Sequence, residues 1–421
     1  MERTVLHCDL NNFYASVECL YKPDIRNKPV AVCGSQSTRH GIVLAKNYMA
    51  KKYNIKTGEA IYEAKKKCPN LIIVKPNYKL YLKFSRLAFN IYKRYTDMIE
   101  PFGIDECWLD VTGSAKLFGS GSKIASEIKE QLKKELGITA SIGVSYNKIL
   151  AKLASDMKKP DAITLIDKNN FKDIVWPFPV DNLMYIGCST AEKLNKSGIF
   201  TIGELAHASP SFLMQKLGKW GETLWAFANG YDETPIEKAE NEPLIKGIGN
   251  SLTTPKDLIC NEEVKLLFYV LADSVAERLR RHNLKGKTVQ ISIKASDMKT
   301  IERQEQLSHY TFISTEIAEK AFKIFLRCWN WEKSVRLLGI RVTNLANADS
   351  YVQLSFLDDN KETRRQLLEI CMDNIRERYG HYSVQRALLM TNAQNRLLHK
   401  DMENRLEGGI CCKRQDEISN R

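Results

Sequence analysis

Three acidic residues stand where a strand-like apolar segment meets a turn, and they are the first candidates for chemistry. Asp9 closes the apolar segment 4–8, and Asp105 and Glu106 follow a turn at Gly103. A carboxylate on an apolar strand is costly unless it is paired or binds a cation. Two adjacent acids repel each other, and a divalent cation cancels that repulsion. The pattern suits a magnesium site for phosphoryl transfer, with two ions about 4 Å apart, and it suits ordinary strand-end acids equally well.

The segments around these acids predict the elements that must hold them. Apolar residues recur with the helical spacing in some segments and form short continuous runs in others. The predicted elements are a strand over 4–9, a helix over 79–97, two strands over 99–112 that turn at Gly103, a helix over 121–136 and a strand over 139–144. Asp110 precedes a turn and is interpreted as stabilising that turn. Alternating helices and short strands predict an α/β or α+β core.

The pattern changes twice further along the chain. From about residue 167, short helices are punctuated by Gly and Pro, and the charged, Pro-bearing segment 232–243 is typical of a linker. Residues 244–345 predict a β-α-β-like module. Its predicted elements are strands over 288–295 and 335–342 and helices over 262–282 and 314–328. A chain of 421 residues suits several domains.

Composition restricts the class of protein. No apolar run reaches the roughly 18 residues that a membrane span needs, and the first residues lack the apolar core of a secretion signal. The 11 cysteines include no C-x-x-C pair, which excludes the usual zinc-finger spacing and fits reduced thiols in a cytosol. We therefore expect a cytoplasmic protein that does not enter a membrane.

Positive charge is concentrated in two blocks of the chain. The net charge is +13; residues 1–166 carry 27 basic and 16 acidic side chains, and residues 244–345 carry 17 and 11. Residues 167–243, between them, carry 7 basic and 11 acidic side chains. Such a distribution suits a protein that grips a long polyanion from two sides, although a generally basic surface would also produce it.

Three ordered segments resemble the motifs of Y-family translesion DNA polymerases, the DinB/UmuC group. They are Cys8-Asp9-Leu10-Asn11-Asn12-Phe13-Tyr14-Ala15-Ser16-Val17-Glu18, Gly103-Ile104-Asp105-Glu106-Cys107-Trp108-Leu109-Asp110, and the stretch 141–160 that ends in Asp156-Met157-Lys158-Lys159-Pro160. The resemblance covers roughly residues 1–345 and, more weakly, the tail. It implies a right-hand polymerase of mixed α/β and α+β domains. The implied domains are a palm of 1–14 and 76–166, fingers of 15–75, a thumb of 167–235 with a helix-hairpin-helix, a little finger of 244–345 and a tail of 346–421.

The resemblance implies the metal ligands. Asp9, Asp105 and Glu106 would hold two Mg²⁺ ions, with the carbonyl of Leu10 as a further ligand. Gly103 stands where the family usually has Ser, a departure that removes no ligand.

The resemblance also implies residues that bind the incoming dNTP. Tyr14 matches the aromatic residue that excludes a 2′-hydroxyl, and a core tyrosine is the alternative. Tyr48, Lys51 and Lys159 match residues that contact the triphosphate. Lys51 stands where the family usually has Arg, so it supplies charge without a bidentate fork.

Two further segments are candidates for binding DNA. Residues 183–194 resemble a helix-hairpin-helix, in which Gly187 at a helix N-terminus and Lys193 would hold a phosphate; a plain helical hairpin is the alternative. The predicted little finger has a basic cluster, for which a solvated helix end is the alternative. Its members are Arg278, Arg280, Arg281, Lys285 and Lys287.

The tail is better suited to contacts with proteins than with DNA, because it carries no net charge. A short peptide in it resembles the clamp-binding peptide of bacterial polymerases, with Phe and Leu in reversed order; an edge strand is the alternative. Its residues are Gln353, Leu354, Phe356 and Leu357. Residues 361–379 predict a helix with one apolar side, formed by Leu367, Leu368, Cys371, Ile375 and Tyr379.

Taken together, these features predict a monomeric DNA-directed DNA polymerase that copies past lesions and acts in DNA damage tolerance and repair. A primer 3′-hydroxyl would attack the α-phosphate of a dNTP and release pyrophosphate. Once the domains are assigned, no segment remains for a proofreading exonuclease of ordinary domain size. A nucleotide cyclase and a non-catalytic accessory protein are the rival hypotheses. The missing G-G-[DE]-E-F loop counts against the first, and the intact acids count against the second.

Overall fold

The computed structural model describes residues 2–34, 41–238, 244–349, 361–381 and 383–390. Its internal contacts divide the chain into two units. They are Met1–Cys33 with Val43–Glu242, and Gly34–Ile42 with Pro243–Arg421.

A five-stranded sheet forms the centre of the first unit. Its strands are β1 (Val5–Leu10), β5 (Ile99–Phe102), β6 (Glu106–Asp110), β7 (Ala140–Ser145) and β8 (Ile163–Leu165). They lie in the order β5-β6-β1-β7-β8. β1 is central and antiparallel to both β6 and β7, and all six of its residues are buried. A central strand that is covered on both faces explains the continuous apolar run in the sequence.

Successive side chains of β1 point to opposite faces of the sheet. Leu6, Cys8 and Leu10 pack against α4 (Tyr78–Tyr92) and α6 (Gly121–Gln131). His7 and Asp9 point to the other face, towards α7 (Lys148–Met157). The acid at the end of β1 therefore faces α7.

A smaller sheet and its helices have a core of their own. The strands β2 (Val30–Cys33), β3 (Val43–Lys46) and β4 (Ile72–Val74) lie in the order β3-β2-β4. The neighbouring helices are α1 (Phe13–Tyr21), α2 (Tyr48–Lys51) and α3 (Ile61–Lys67); α5 (Ala115–Phe118) follows β6. The core includes Ala31, Val43, Ala50 and Ile61.

The segment after β8 is helical, as the sequence predicts. Its helices are α8 (Phe171–Val175), α9 (Cys188–Asn195), α10 (Ile202–His207), α11 (Pro210–Leu217) and α12 (Lys219–Ala228). Thr201 and Glu204 form a capping box at the start of α10. Leucine and isoleucine residues from these helices share one core with α7.

The second unit has a four-stranded antiparallel sheet with helices on one face. The strands β9 (Gly247–Leu258), β10 (Leu284–Ala295), β11 (Thr300–Thr311) and β12 (Val335–Asn347) lie in the order β11-β10-β12-β9. The helices α13 (Asn261–Arg281) and α14 (Ser314–Cys328) pack on the apolar face of the sheet. The sequence-based description of this part lacked β9 and β11. β11 is polar along most of its length, and β9 carries Gly247 and Gly249, so neither shows an apolar strand pattern.

The last described helix, α15 (Lys361–Tyr379), confirms the helix predicted over 361–379 and packs with its polar side. Glu369 and Arg376 are buried, whereas Leu367, Leu368 and Tyr379 are exposed. The buried side forms ion pairs within the second unit. They join Arg280 to Glu369 and Asp373, Arg376 to Asp273, and Arg386 to Asp273 and Glu369.

Among the residues that the structure describes, no helix has both the length and the apolar character needed to cross a membrane.

Candidate active site

Sheet pairing brings the three predicted acids together. Asp9 on β1 lies directly opposite Glu106 on β6. The backbone N–H of Leu10 donates a 3.0 Å hydrogen bond to the carbonyl of Asp105, in the turn that precedes β6. Asp105 and Glu106 were predicted from adjacency in sequence. Asp9 joins them only because β1 and β6 are neighbours with this register.

Charge repulsion and burial act together at these acids. Burial, reinforced by the charges of Glu106 and Asp9, raises the pKa of Asp105 to about 7. Burial and the charge of Glu106 also raise the pKa of Asp9. Glu106 differs, because burial, which would raise its pKa, is outweighed by a hydrogen bond from His7 and the charge of Lys152, which lower it. Asp9 and Asp105 therefore carry negative charge that their surroundings stabilise poorly, which is the condition that a divalent cation relieves.

Two lysines already contact this cluster. Lys159 Nζ lies 2.7 Å from Asp9 Oδ2, and Lys152 Nζ lies 2.8 Å from Glu106 Oε2. Lys159 was predicted as a triphosphate ligand, whereas Lys152 was not singled out. Lys152 follows Lys148 by one helical turn on α7, but nothing in the sequence says that this helix covers β1.

His7 is a second residue that sequence reasoning missed. Its ring is fully buried, and its Nδ1 lies 2.8 Å from Ser155 Oγ. Ser155 Oγ also donates a 2.7 Å hydrogen bond to the Lys152 carbonyl. His7 Nε2 faces Glu106 Oε2 at 3.4 Å. Because burial lowers the pKa of His7 to about 4, the ring is neutral near pH 7.

Asn11 fixes the loop that carries Lys159. Its side-chain NH₂ donates to Ser141 Oγ at 2.9 Å, and its Oδ1 accepts from the backbone N–H of Asp161 at 2.9 Å. Asn12, the next residue, has a left-handed backbone with φ 48°. The bond to Ser141 ties the end of β1 to β7, and the bond to Asp161 ties it to the segment after α7 that carries Lys159.

The two aromatic residues after Asn12 have different surroundings. Phe13 is buried in the core, whereas Tyr14 is half-buried. The ring of Tyr14 stacks on Tyr81 with 4.4 Å between centroids and 10° between planes. The hydroxyl of Tyr81 donates to Glu18 Oε1 at 2.8 Å, which holds the stacked ring in place.

Tyr48 lies near the carboxylates, and Lys51 lies beside it. Burial raises the pKa of Tyr48 to about 12, with smaller influences from Lys159 and Asp9. Its hydroxyl therefore stays protonated and can donate a hydrogen bond. Lys51 is exposed, with its Nζ 5.7 Å from the centroid of the Tyr48 ring.

Within the described residues, no three His, Cys, Asp or Glu side chains form a ready-made metal-binding cluster. Of the three acids, Asp9 is buried, whereas Asp105 and Glu106 are partly exposed. This arrangement fits magnesium, which keeps waters and substrate phosphates among its ligands.

Gly187 and Lys193, the residues predicted to hold a phosphate, lie at the start and in the body of one helix. Gly187 is the N-cap of α9, and Lys193 is exposed on the same helix. Tyr185, two residues earlier, has a φ of 71°, which turns the chain sharply before α9.

The five basic residues predicted in the second unit do not form one exposed cluster. The Arg280 side chain is only 6% exposed and is bidentate to Asp373, at 2.6 and 2.9 Å. Lys285 is also buried and donates to the carbonyl of Ala348 at 3.3 Å.

The other three members of this cluster each have a different partner. Arg278 donates to the carbonyl of Gly249 at 2.8 Å, and Arg281 is exposed and paired with Glu277. Lys287 lies over the Tyr310 ring at 5.7 Å.

A polar face of the four-stranded sheet was not anticipated from the sequence. Gln304, Gln290, Arg341 and Gly249 lie side by side across the four strands, on the side away from α13 and α14. The parallel row of Glu302, Ser292, Gly339 and Ser251 is also small or polar.

The residues of the predicted clamp peptide, Gln353, Leu354, Phe356 and Leu357, lie outside the described residues.

Comparison with known proteins identifies a family for this chain. A family model described as the impB/mucB/samB family matches residues 8–156, and a model of that family's C-terminal domain matches residues 245–356. The chain belongs to the impB/mucB/samB family. The first matched segment contains all three acids, and the second contains the four-stranded sheet.

Several relatives are similar over almost their whole length. DNA polymerase IV of Acetivibrio thermocellus is 60% identical over 391 residues, which cover 93% of this chain and 98% of the relative. DNA polymerase IV 1 of Bacillus subtilis is 39% identical over 379 residues, covering 90% and 91%. DNA polymerase IV of Clostridium acetobutylicum is 37% identical over 396 residues, covering 93% and 99%.

A solved structure shares the fold. A Y-family DNA polymerase chimera superposes with a TM-score of 0.71 at 24% sequence identity, covering 82% of this chain and 99% of the chimera. The predicted fold class, a right-hand polymerase of mixed α/β and α+β domains, is therefore confirmed. Together with the relatives, it also confirms the resemblance to Y-family DNA polymerases and the predicted enzyme class, a DNA-directed DNA polymerase.

Proposed function

We propose that this chain copies DNA past damaged template bases by two-metal transfer of a nucleotide to a primer 3′-hydroxyl. The observation that carries the proposal is the meeting of Asp9, Asp105 and Glu106 beside Lys159 at the end of β1. The substrates are primer-template DNA and a dNTP, and the products are the extended primer and pyrophosphate.

The residues that would hold Mg²⁺ are Asp9, Asp105, Glu106 and the carbonyl of Leu10. Their fit is supported by the raised pKa values of Asp105 and Asp9, and by the ammonium groups that contact Asp9 and Glu106. The chemistry that bound Mg²⁺ supplies is a lowered pKa for the attacking hydroxyl and neutralisation of the leaving oxygens.

Side chains of this protein position the triphosphate. Lys159 reaches the acids from the segment after α7 and can turn its ammonium from Asp9 to a phosphate oxygen. Tyr48 keeps its proton, so its hydroxyl can donate to another phosphate oxygen. Lys51 adds a positive charge at the outer end of the same short helix.

Tyr14 sets the choice of sugar in this proposal. Its ring is half-buried and stacks on Tyr81, whereas Phe13 is buried in the core. A rigid ring against C2′ would exclude a 2′-hydroxyl by a clash.

We assign the palm to 1–14 and 76–166, the fingers to 15–75, the thumb to 167–235, the little finger to 244–345 and the tail to 346–421. Separate apolar cores support the assignment. One surrounds the five-stranded sheet, a second the small sheet, a third the helices α8 to α12, and a fourth the four-stranded sheet.

DNA is gripped through its phosphates in two places. In the thumb, the N–H groups at Gly187 and the ammonium of Lys193 would hold one phosphate. In the little finger, the polar sheet face that carries Arg341 and Gly339 lets a backbone approach closely, because Gly339 has no side chain to stand in the way. Arg281 and Lys287 are accessible enough to add charge. Arg278 is engaged within the little finger, and Arg280 and Lys285 are engaged with Asp373 and Ala348 of the tail.

We also propose that the protein is a cytoplasmic monomer that lacks proofreading and binds a sliding clamp through Gln353, Leu354, Phe356 and Leu357. With the five domains assigned, the chain has no segment for an exonuclease domain. The clamp peptide follows the little finger, where it can connect the enzyme to a clamp on DNA.

Lesion copying and absent proofreading are tested together on two templates. On a template with one abasic site, we expect extension beyond the site. On a primer with a 3′-terminal mismatch, we expect no release of the mismatched nucleotide as a monophosphate. A complete stop at the abasic site would contradict the translesion assignment, and release of the monophosphate would contradict the absence of proofreading.

A further inference from the structure

Lys152 occupies a position between the acids of the active site and a third acid on its own helix. Its Nζ lies 2.8 Å from Glu106 Oε2, 3.6 Å from Asp9 Oδ2 and 3.4 Å from Asp156 Oδ2. The Lys152 side chain is 15% exposed, so these contacts are shielded from most of the solvent. One ammonium therefore partly neutralises two of the acids to which the proposed function assigns a metal.

We propose that Lys152 is a positioning residue that serves as an internal counter-ion. It holds Asp9 and Glu106 in place while no metal is bound, and it moves to Asp156 when a divalent cation takes those two acids. The inference rests on the proposed metal site.

Asp156 is well placed to receive the ammonium. It lies one helical turn after Lys152 on α7, so rotation of the flexible lysine stem is enough to change partner. The Asp156 side chain is 47% exposed, and it is already paired with Lys159 at 2.9 Å. A solvated carboxylate can accept a second cation at little cost in desolvation.

A counter-ion role for Lys152 affects metal binding, whereas a purely structural lysine would affect only stability. An ammonium and a divalent cation compete for the same oxygens of Asp9 and Glu106. Lys152 must therefore weaken the binding of metal to the free enzyme while it stabilises the metal-free fold. A lysine that only supported the fold would, on removal, lower stability without tightening metal binding.

The test is the binding of Mn²⁺ to the full chain, without DNA or dNTP, followed by electron paramagnetic resonance of the free ion. We expect Lys152→Met to lower the Kd for Mn²⁺ roughly tenfold, because it removes a competing charge at about 3–4 Å. We also expect Lys152→Met to melt at a lower temperature than wild type in EDTA. In excess Mn²⁺ the two proteins should melt at the same temperature. An unchanged or higher Kd would overturn the proposal.

Two variants control for charge and for folding. Lys158→Met removes the same charge from an exposed position just after α7, and should leave the Kd nearly unchanged. Lys152→Arg keeps the positive charge and should leave the Kd near the wild-type value. If Lys152→Met does not fold, Lys152→Arg decides the question. A Kd for Mn²⁺ lowered as much as expected for Lys152→Met would overturn the counter-ion role. A Kd near the wild-type value would support it.

A double-mutant cycle tests the transfer to Asp156. Asp156→Asn should weaken Mn²⁺ binding in the wild-type background, because Lys152 then stays on Asp9 and Glu106. In the Lys152→Met background, the same substitution should have a smaller effect. Only Lys159 is then left to turn from Asp156 to Asp9. Equal effects in both backgrounds would mean that Asp156 acts only through its own charge.

A variant of the proposed metal site distinguishes an error in that site from an error in the role of Lys152. Asp105→Asn should largely remove Mn²⁺ binding. If binding persists unchanged in Asp105→Asn, the proposed metal site is wrong. If binding is lost there but Lys152→Met behaves as wild type, only the role of Lys152 is wrong.

Discussion

Asp9, Asp105 and Glu106 could be selected from the sequence because each is an acid in an apolar context and stands in a motif. His7, Asn11 and Lys152 could not, since their partners come from distant segments. His7 meets Ser155, Asn11 meets Asp161, and Lys152 meets Glu106 only after β1, β6 and α7 have packed. Such long-range contacts leave no periodic signal in the chain.

One prediction concerns Tyr14 and the choice between dNTPs and rNTPs. Tyr14→Ala should raise kcat/KM for rNTPs relative to dNTPs by roughly 10- to 100-fold, because it removes the ring that would clash with a 2′-hydroxyl. Tyr14→Phe keeps the ring and should keep the discrimination. The measurement is kcat/KM for a dNTP and the matching rNTP on one template.

Phe13→Ala is the neighbouring control for the same experiment. Because Phe13 is buried, the substitution should cost about 3–5 kcal/mol of stability without changing sugar preference. A loss of discrimination in Phe13→Ala, or unchanged discrimination in Tyr14→Ala, would mean that the wrong aromatic residue was chosen.

At the scale of elements, the sequence predicted the helices and strands whose apolar residues recur with a clear spacing. β1, the β5–β6 pair, α13 and α14 agree with prediction to within a few residues. β9 and β11 were missed because their pairing with β12 and β10, rather than their own side chains, makes them strands. The apolar residues of α15 were found on one side as predicted, but the polar side is the one that docks, through ion pairs that sequence periodicity does not reveal.

Gly143 tests how closely α7 must approach the sheet. A Cβ at this position would lie 1.9 Å from the carbonyl of Ala151 and 2.6 Å from the backbone nitrogen of Ser155. Gly143→Ala should displace α7, and with it Lys152 and Ser155. We expect a stability loss of about 1–3 kcal/mol, measured by urea unfolding, and a loss of polymerase activity under conditions where the variant remains folded.

Gly113→Ala is the matched control, because an added Cβ there meets nothing within 4 Å. It should leave stability and activity near the wild-type values. Full activity in a folded Gly143→Ala variant would show that the close approach of α7 is not required.

At the scale of the whole molecule, the charge distribution and the order of motifs were sufficient to predict the polymerase class. They were not sufficient to identify the polar sheet face, since its residues are scattered over four strands and meet only through register. The basic cluster chosen from the sequence was compact in the chain, yet Arg280 turned inward to the acids of α15.

A further prediction concerns the tail and its binding to a sliding clamp. Replacing Gln353, Leu354, Phe356 and Leu357 with Ala should leave extension of a naked primer intact and remove stimulation by a loaded sliding clamp, because the apolar anchors are lost. The measurement is product length with and without clamp. Stimulation that survives the replacement would show that another segment binds the clamp.

The central claim is that Asp105 and its two neighbouring acids form the site of metal-dependent nucleotide transfer. It is tested most directly by primer extension in Mg²⁺ with wild type, Asp105→Asn and Asp110→Asn. Asp110 is the matched control, because it is an acid on the same strand pair that binds Arg3 and the backbone N–H of Thr112 instead. We expect extension by wild type and Asp110→Asn, and none in EDTA. Asp105→Asn should bind primer-template DNA as wild type does and yet add no nucleotide, and substantial extension by this variant would contradict the account.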